Sequence, residues 1–363
     1  MTSNKHIILH LSLIPQIGPA TVQTLVAAVG LENHSCVCSY KVQDFTALGV
    51  NLSMASRLIE GLANDAVIDE ELRLCALHNI SWTTVYEHDY PVLLQHIHLP
   101  PSVIYWRGNS FEHYQKRIAV IGSREATSYG ETVIKALVPE LVEAGWTIVS
   151  GGALGADSMA HKAALAAHGK TIAITGAGLL KPYPYSNKFL FENIVNSDGI
   201  YMSSFPLTMS ALPGNFPARN RIISGMSAGI VVIQAAYESG TRSTALYALE
   251  QGREVCAVPG RIDDPLSKGC HRLLSEGATL ISSAADILSV LGEQRQKQPH
   301  IITTSVQEEH TDPLVQACRQ PQTFDELLQY VPSPEALRER LCFLQFEGLI
   351  EQDIIGRWRA IPR

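Results

Sequence analysis

The sequence lacks the signatures of several common classes of protein. Its seven cysteines include no CxxC pair and no metal-ligand spacing, so we expect reduced thiols in a cytoplasmic protein rather than a disulfide framework. The apolar N-terminal stretch HIILHLSLI is too short to span a bilayer, carries His10 in its middle and is followed by no small-residue cleavage site. We therefore expect no membrane association. A GxxxxGKS or GxxxxGKT motif is also absent, which argues against a P-loop ATPase.

The charge of the chain is modest and unevenly distributed. Its 363 residues are 46% hydrophobic and 17% charged, which is ordinary for a globular protein of more than one domain. The net charge of -7 argues against a generally basic nucleic-acid binder. Residues 116–288 nevertheless hold 15 basic and 14 acidic side chains, whereas residues 1–115 hold 5 and 10. Any nucleic-acid site must therefore be a local patch, which we expect in the middle of the chain.

The first part of the chain has a helical pattern. A Gly-Pro turn at Gly18 precedes a stretch in which Val22, Leu25, Val26 and Val29 share one helix face. This resembles half of a helix-hairpin-helix (or SAM-like) unit, whose amides can hold a DNA phosphate. The alternative is a helical packing module without DNA contact, and the acidic surroundings without Lys or Arg near Gly18 favour it.

From Lys116 onward, short apolar stretches alternate with helical ones. The predicted strands are RIAVIG, WTIVSGG, TIAITG, IYMSSFP, AGIVVIQA, REVCAVPG and ATLISS. Continuous apolar strands joined by helical crossovers indicate a parallel sheet that is covered on both faces. We therefore predict an α/β fold with a Rossmann-like, doubly wound, mostly parallel sheet over residues 116–292, preceded by a helical N-terminal domain and connection over residues 1–115.

The chain after residue 292 changes character twice. Residues 293–312 are polar with few large apolar side chains, which indicates a linker. A capping box TFDE then opens one helix, Ser333 and Pro334 open another, and a hairpin turns near Gly356. Helices followed by a hairpin resemble a winged helix, which we place at residues 313–363.

The partner of this C-terminal domain stays open on sequence grounds. Its presumed third helix and hairpin carry Arg338, Arg340, Arg357 and Arg359, on the elements that usually face DNA in winged helices. Glutamates at 335 and 339 dilute the charge of that helix. Contact with duplex DNA and contact with protein are both compatible with this pattern.

Three loops that follow predicted strands are rich in glycine and small polar residues. They are GSREATSYG, SGGALGADS and ESGTRST, the last of which contains Ser239 and Gly240. Backbone N–H groups and the positive end of a helix dipole make such junctions suitable for anions, although tight turns alone would also explain them. A dinucleotide site is less suitable, because GAGLLK has Lys181 where the third glycine of GxGxxG should stand and no helix follows.

Basic residues near these loops indicate a longer polyanion. Arg124 follows the first predicted strand, and the FPARNR stretch contributes Arg219, Asn220 and Arg221. Lysines 181 and 188 flank a stretch that contains Tyr183, Tyr185 and Phe189. Basic side chains interleaved with aromatic rings suit single-stranded nucleic acid, since charge follows the phosphates and rings stack on bases.

Two residues of the second glycine-rich stretch are compatible with an enzyme as well as with a binding protein. Asp157 and His161 are four residues apart and would share a helix face as an acid and base pair. The simpler interpretation, which we favour, is that Asp157 caps a helix and His161 is partly buried in it. His96 and His98 have no third partner, so we expect no metal site and no cofactor. A Rossmann-like phosphoribohydrolase remains the alternative function, although AVPGRIDD does not reproduce the PGGxGT stretch of such enzymes.

Six motifs in this order are similar to those of the DNA-processing protein A family, also called Smf. They are IGSREATSYG, SGGALGADSMAH, GAGLLKPYPYSN, FPARNRIISGMS, ESGTRSTA and AVPG. The resemblance implies a homodimeric protein that binds and protects incoming single-stranded DNA and loads the RecA recombinase in natural transformation. We expect no catalytic activity. It also implies a functional relation to single-strand-binding protein, which would otherwise cover that strand.

The resemblance carries site residues over to this chain. It implies DNA contacts at Arg124, at the loop residues Ser150, Gly151, Gly152, Gly155 and Asp157, and at Arg219, Asn220 and Arg221. Lys181, Lys188, Ser239 and Gly240 complete the predicted DNA-binding set. The chain departs from the family pattern at Leu154, where an arginine is usual, and at Ser204 and Gln234, where glutamates are usual.

Overall fold

The computed structural model of the chain contains two compact units. The described residues are 4–30, 36–292, 312–318, 320–346, 349–353 and 356–360. The division between the units falls after Gln294. The predicted linker 293–312 lies outside the described residues except for Asp312.

The first unit is built on a nine-stranded sheet. Its strands follow the chain as β1 (Ser81–Thr84), β2 (Val103–Gly108), β3 (Arg117–Ile121), β4 (Thr147–Ser150), β5 (Thr171–Ile174), β6 (Ile200–Ser203), β7 (Gly229–Val232), β8 (Glu254–Ala257) and β9 (Thr279–Leu280). Their spatial order is β1-β2-β6-β5-β4-β3-β7-β8-β9. All neighbours from β6 to β9 pair in parallel, whereas β1 and β2 pair antiparallel. The predicted fold class, a doubly wound and mostly parallel sheet, is confirmed.

Helices cover both faces of the sheet. They are α1 (Asn4–Leu13), α2 (Pro19–Val29), α3 (Val42–Ala47), α4 (Leu52–Leu62), α5 (Asp65–Leu77), α6 (Val92–Gln95), α7 (Ser128–Glu143), α8 (Ala156–Ala166), α9 (Lys188–Asn196), α10 (Asn215–Gly225), α11 (Gly240–Glu250), α12 (Lys268–Ser275) and α13 (Ala284–Val290). Helices α7, α8 and α13 share one core with the sheet. On the opposite face, α6, α10, α11 and α12 share another.

The sheet begins earlier in the chain than the sequence predicted. Strands β1 and β2 belong to the segment 1–115, for which the sequence predicts a helical domain and a connection, and β2 pairs antiparallel with β6. The N-terminal helices bury their apolar side chains in one core with Tyr105 of β2 and Tyr201 of β6. In addition, Glu71 of α5 accepts a hydrogen bond from the Leu207 backbone N–H at 2.8 Å. The predicted boundary between residues 115 and 116 therefore does not separate two packed units.

The predicted amphipathic helix after Gly18 is present as α2. Val22, Leu25 and Val26 are buried, and Val29 packs against the same core. Pro19 stands at the first helical position, where its missing N–H costs no hydrogen bond.

The second unit contains α14 (Pro313–Ala317), α15 (Phe324–Leu327), α16 (Pro334–Phe346) and an antiparallel pair, β10 (Ile350–Gln352) and β11 (Trp358–Ala360). The predicted capping box forms between Thr323 and Glu326. Ser333 accepts a hydrogen bond from the Ala336 N–H at 3.2 Å, as a cap of α16 should. Helices followed by a two-stranded ribbon agree with the predicted order of elements, and the winged-helix assignment stays a prediction. No helix in the described parts of either unit is long and apolar enough to cross a membrane.

Candidate nucleic-acid interface

The strand order creates a crevice at the carboxyl ends of β3 and β7. These strands are neighbours, but the helix after β3, α7, covers one face of the sheet and the helix after β7, α11, covers the other. The loops that leave the two strands therefore diverge, which is where open α/β sheets bind ligands. A cleft of about 470 Å³ opens there, which we call the carboxyl-edge cleft. Its walls come from the loop after β3, from α10 and from the first turn of α11.

The first turn of α11 makes one wall favourable for an anion. Ser239 is its N-cap, and Gly240, Thr241 and Ser243 also line the cleft. No acidic residue lies in this turn, and the Ser239 hydroxyl is buried without a hydrogen-bond partner. Free N–H groups and the helix dipole thus direct partial positive charge into the cleft.

A buried ion pair forms the cleft's inner wall. The Arg219 Nη1 of α10 lies 3.9 Å from the Asp157 Oδ2 of α8, and both side chains are almost fully buried. Burial raises the pKa of Asp157, and the neighbouring Arg219 opposes that shift. Burial also lowers the pKa of Arg219, whose Nε has no hydrogen-bond partner. Arg219 is therefore held in place by a partner that balances its charge but does not use all of its donors.

Arg124 supplies an exposed positive charge at the mouth of the cleft. Its guanidinium carbon lies 5.4 Å from the centre of the Phe216 ring, and that of Arg219 lies 6.0 Å from the same ring. Among the described residues, no carboxylate forms an ion pair with Arg124. A ligand phosphate can therefore reach it without breaking an existing pair.

The glycines of the loop after β4 support this wall rather than line it. A Cβ on Gly151 would overlap the Arg219 guanidinium, and one on Gly152 would meet the Phe191 ring at 2.6 Å. Gly155 has a φ of +72°, and a Cβ there would press on the carbonyls of Ser123 and Arg124. The structure therefore does not bring these three predicted phosphate contacts to the cleft, because close packing uses the space that their missing side chains leave.

Two other residues of the same loop also have roles that differ from the prediction. The buried hydroxyl of Ser150 donates to the Val120 carbonyl at 2.7 Å and does not line the cleft. Asp157 is not the N-cap of α8: Gly155 holds that position, and Asp157 lies in the first turn and accepts a 3.4 Å hydrogen bond from the Ala153 N–H. The sequence did not predict this, because its true partner, Arg219, comes from a distant helix.

The FPARNR stretch is divided between two sides of α10. Arg219 and Asn220 line the cleft, and Asn220 Nδ2 reaches the Ser243 hydroxyl at 3.0 Å, which joins α10 to α11. Arg221 does not line the cleft; it donates to the His98 carbonyl at 3.2 Å. Phe216 of the same stretch does line the cleft; it was not among the predicted site residues, although it stands next to the basic ones.

The aromatic and lysine stretch borders the cleft. Tyr183 lies beside Phe216 with ring centres 5.6 Å apart, and both line a shallow depression together with Arg124 and Leu154. Leu154, where the family pattern has arginine, is 49% exposed. The remaining members of this stretch, Lys181, Tyr185, Lys188 and Phe189, are exposed. Lys188 lies over the Tyr185 ring at 5.8 Å.

Asp157 and His161 do not form an acid and base pair at the cleft. His161 is fully buried and outside the cleft lining, and burial lowers its pKa to about 3. Its Nδ1 lies 2.7 Å from the Thr171 hydroxyl. Because that hydroxyl donates its own hydrogen to the Ile148 carbonyl, the hydrogen bond between His161 and Thr171 is donated by the His161 Nδ1–H. The carboxylate of Asp157 forms an ion pair with Arg219. Within the described residues, no three His, Cys, Asp or Glu side chains form a group that could hold a metal ion.

Gln234 joins the loop after β3 to the loop after β8. Its Oε1 accepts from the Thr127 N–H at 2.9 Å, and its Nε2 lies 3.4 Å from the Asp264 carboxylate. A glutamate here, as in the family pattern, would face Asp264 with like charge. Ser204, the other replaced glutamate, is half-buried and does not line the cleft.

The arginines of the second unit are partly used within that unit. Arg340 pairs with Asp312 at 2.7 Å, and Arg359 pairs with Glu351 at 2.7 Å. Arg338 lies over the Phe324 ring at 5.7 Å. Fewer positive charges are therefore free for duplex DNA than the sequence alone indicates.

Comparison with known proteins identifies the family. A sequence model of the DNA recombination-mediator protein A family matches residues 81–292, which is more than half of the chain. The chain belongs to this family. The matched region starts at β1 and so includes β1 and β2, the two strands that the sequence patterns did not predict.

Relatives with known sequences and structures agree with the assignment to the DNA recombination-mediator protein A family. The DNA processing protein DprA of Bacillus subtilis is 39% identical over 216 residues, covering 59% of this chain and 72% of that protein. The X-ray structure of DprA from Streptococcus pneumoniae is similar with a TM-score of 0.69 and 31% identity, over 80% of this chain and 98% of that one. A Helicobacter pylori DNA processing protein A structure, described for its single-stranded DNA binding mode, has a TM-score of 0.53 and 28% identity, over 59% of this chain and 96% of that one.

Proposed function

We propose that this chain binds single-stranded DNA in the carboxyl-edge cleft. The observation that carries the proposal is the exposed Arg124, which forms no ion pair with a described residue and lies at the mouth of a cleft that Arg219 and the first turn of α11 also line. These groups suit phosphates, whatever the base sequence. The Helicobacter pylori relative, described by its single-stranded DNA binding mode, supports the choice of ligand.

The neighbouring aromatic side chains fit a single strand better than a duplex. Exposed rings of Tyr183, Tyr185 and Phe189 lie along the stretch that borders the cleft, where unpaired bases can stack on them. Bases inside a duplex are already stacked and paired, so these rings would contribute little there. Affinity should therefore depend on strandedness and salt, with little dependence on sequence.

In the cell, this binding would serve recombination. We infer that a homodimer of the chain protects incoming single strands in natural transformation and places RecA on strands that single-strand-binding protein would otherwise cover. The family's description as a recombination mediator supports this role. A mediator needs to hold the backbone and leave the bases unread, and a dimer would raise the effective concentration of a second contact. We propose no catalytic step.

The first test compares single-stranded with duplex DNA in a gel shift. We expect tighter binding of the single strand by the wild-type chain and weaker binding by Arg124→Glu. Lys135→Glu is the matched control, because Lys135 lies on α7, pairs with Glu131 and does not line the cleft. Equal loss in both variants would contradict the placement of the site.

The second test measures RecA filament formation on single strands coated with single-strand-binding protein, together with the mass of the chain in solution. Stimulation that is lost in Arg124→Glu would support the mediator role. Tight DNA binding without stimulation would leave a DNA-protecting protein as the better account, and a stimulating monomer would contradict the dimer only.

A further inference from the structure

Three arginines gather at the opposite, amino edge of the sheet. Arg117 opens β3, Arg253 precedes β8, and Arg221 projects from α10. Arg117 and Arg253 lie two strands apart, on β3 and just before β8, with β7 between them. The start of β7 joins the two: the Ala228 N–H donates to the Arg117 carbonyl at 2.8 Å, and Gly229 pairs with Glu254. Two strand spacings are about 10 Å, which two arginine side chains can bridge.

The side chains of these arginines lie on one face of the sheet. Ala119 and Val255, each two residues beyond Arg117 and Arg253, pack in the core under α6 and α10, and side chains two apart in a strand point the same way. Arg253 donates from Nη2 to the Leu93 carbonyl at 2.9 Å. The bond from Arg221 to His98 reaches the same connection around α6. We call these three residues the amino-edge arginine cluster.

The cluster has more hydrogen-bond donors than acceptors. Arg117 is 5% exposed, and its Nε and Nη1 have no partner. The Nε atoms of Arg221 and Arg253 are also buried without a partner. Within the described part of the chain, no carboxylate pairs with any of the three. The groups that face Arg221 are Tyr90 and Tyr247, which are neutral at physiological pH.

The electrostatics of the cluster favour an anion. Burial, and to a smaller extent the positive charge of Arg253, lower the pKa of Arg117 to about 10. Buried donors without acceptors are unfavourable, and buried like charges repel one another, so a bound anion would remove both penalties. A phosphate group has several oxygens in a compact geometry and can accept from more than one guanidinium, whereas a single carboxylate has two oxygens.

We propose that the amino-edge arginine cluster is a second anion site of this chain, which binds a phosphate group and is separate from the carboxyl-edge cleft. The phosphate can come from a free phosphate or nucleotide, or from the backbone of a DNA strand. This inference does not depend on the proposed DNA binding in the cleft.

The test is thermal unfolding of the full chain in sodium phosphate and in sodium chloride of equal ionic strength. We expect phosphate to raise the Tm of the wild type, by mass action on the folded state. Arg117→Met and Arg253→Met should each raise the apparent Kd for phosphate at least about tenfold. Arg117→Met should fold, because an apolar side chain of similar size replaces a buried, unpaired charge. Arg124→Ala should retain the phosphate effect of the amino edge.

Nucleotide probes then distinguish the two sources of phosphate. If Arg253→Met weakens dTMP binding and leaves a 60-nucleotide single strand unaffected, the ligand is a free phosphate compound. If Arg253→Met weakens binding of the 60-nucleotide strand more than about threefold, and weakens binding of an eight-nucleotide strand less, the site holds DNA backbone that extends beyond the cleft. Equal Tm values in phosphate and chloride, an undiminished phosphate effect in Arg117→Met, or competition by polyglutamate but not by phosphate would overturn the proposal.

Discussion

The two edges of the sheet use the same residue type in different ways. At the carboxyl edge, Arg124 is exposed and Arg219 is held by Asp157, so both can present charge to an open cleft. At the amino edge, Arg117 is buried and Arg253 bonds to the Leu93 carbonyl of α6, and no carboxylate among the described residues pairs with either. Residue type therefore does not decide the role of an arginine in this protein; its position relative to the strand ends does.

Helix α10 contains both situations within three residues. Arg219 and Arg221 are two positions apart, which is about 200° around a helix axis. One consequently lines the cleft while the other bonds to the His98 carbonyl. Helix ends strengthen the contrast: the first turn of α11 adds partial positive charge at the cleft, whereas carbonyls of the α6 connection face the arginines of the amino edge.

The largest effect should come from filling the space behind the cleft wall. Gly151→Ala places a methyl group against the buried Arg219 guanidinium and should separate it from Asp157. We expect a loss of about 3 kcal/mol in the free energy of unfolding, together with weaker DNA binding. Denaturant unfolding measures the first effect. The matched control is Gly214→Ala, whose added methyl group meets nothing within 4 Å, and equal stability of the two variants would contradict the account of this wall.

Acid should destabilise the first unit through His161, which bonds to Thr171 at the start of β5. Its folded pKa of about 3 lies below its ordinary value of 6.5, so its contribution to stability is present above pH 6.5 and is lost as the pH falls toward 3. One pKa unit corresponds to about 1.4 kcal/mol, and the unfolded imidazole is already half protonated at pH 6.5, so we expect a loss of about 2 kcal/mol between pH 6.5 and 4.5. His161→Gln, which keeps a donor for Thr171, should show a smaller dependence. Parallel pH profiles of the two proteins would show that His161 is not the cause.

A comparison of Arg124 with Arg221 tests the contrast between the edges directly. Arg124→Ala should weaken binding of an eight-nucleotide single strand about tenfold, because a charge-assisted contact is lost. The same change at Arg221 should alter this affinity less than about twofold, since Arg221 does not line the cleft. Fluorescence anisotropy at fixed salt measures both. Similar losses of affinity in the two variants would mean that the DNA strand crosses α10, and the two edges of the sheet would then form one DNA-binding site.

The smallest effect should come from restoring the usual arginine at Leu154. This side chain is exposed beside Arg124 and Tyr183, so Leu154→Arg adds a positive charge at the edge of the cleft. We expect about threefold tighter single-strand binding and a steeper salt dependence by about one phosphate contact. Leu52→Arg, at an exposed position on α4, controls for net charge. An equal gain in the control would assign the effect to net charge alone.

Local sequence patterns were sufficient for the central sheet and for several helix starts. Strands such as RIAVI and GIVV are short, β-branched and apolar, which is what burial on both faces of a parallel sheet requires. Capping at Thr323 and Ser333 depends only on residues three positions away. By contrast, β1 and β2 were missed because they pair antiparallel at the edge, outside the repeating strand and helix pattern.

The sequence by itself determined the fold class, the glycine-rich turns and the set of basic residues from which a site could be built. Only the tertiary structure decided how that set is divided: Arg219 meets Asp157 from another helix, Arg221 turns to His98, and Gly151 makes room for a guanidinium rather than for a phosphate. The physical reason is that periodicity and capping are local, whereas these contacts join residues far apart in the chain whose approach depends on how the helices pack on the sheet.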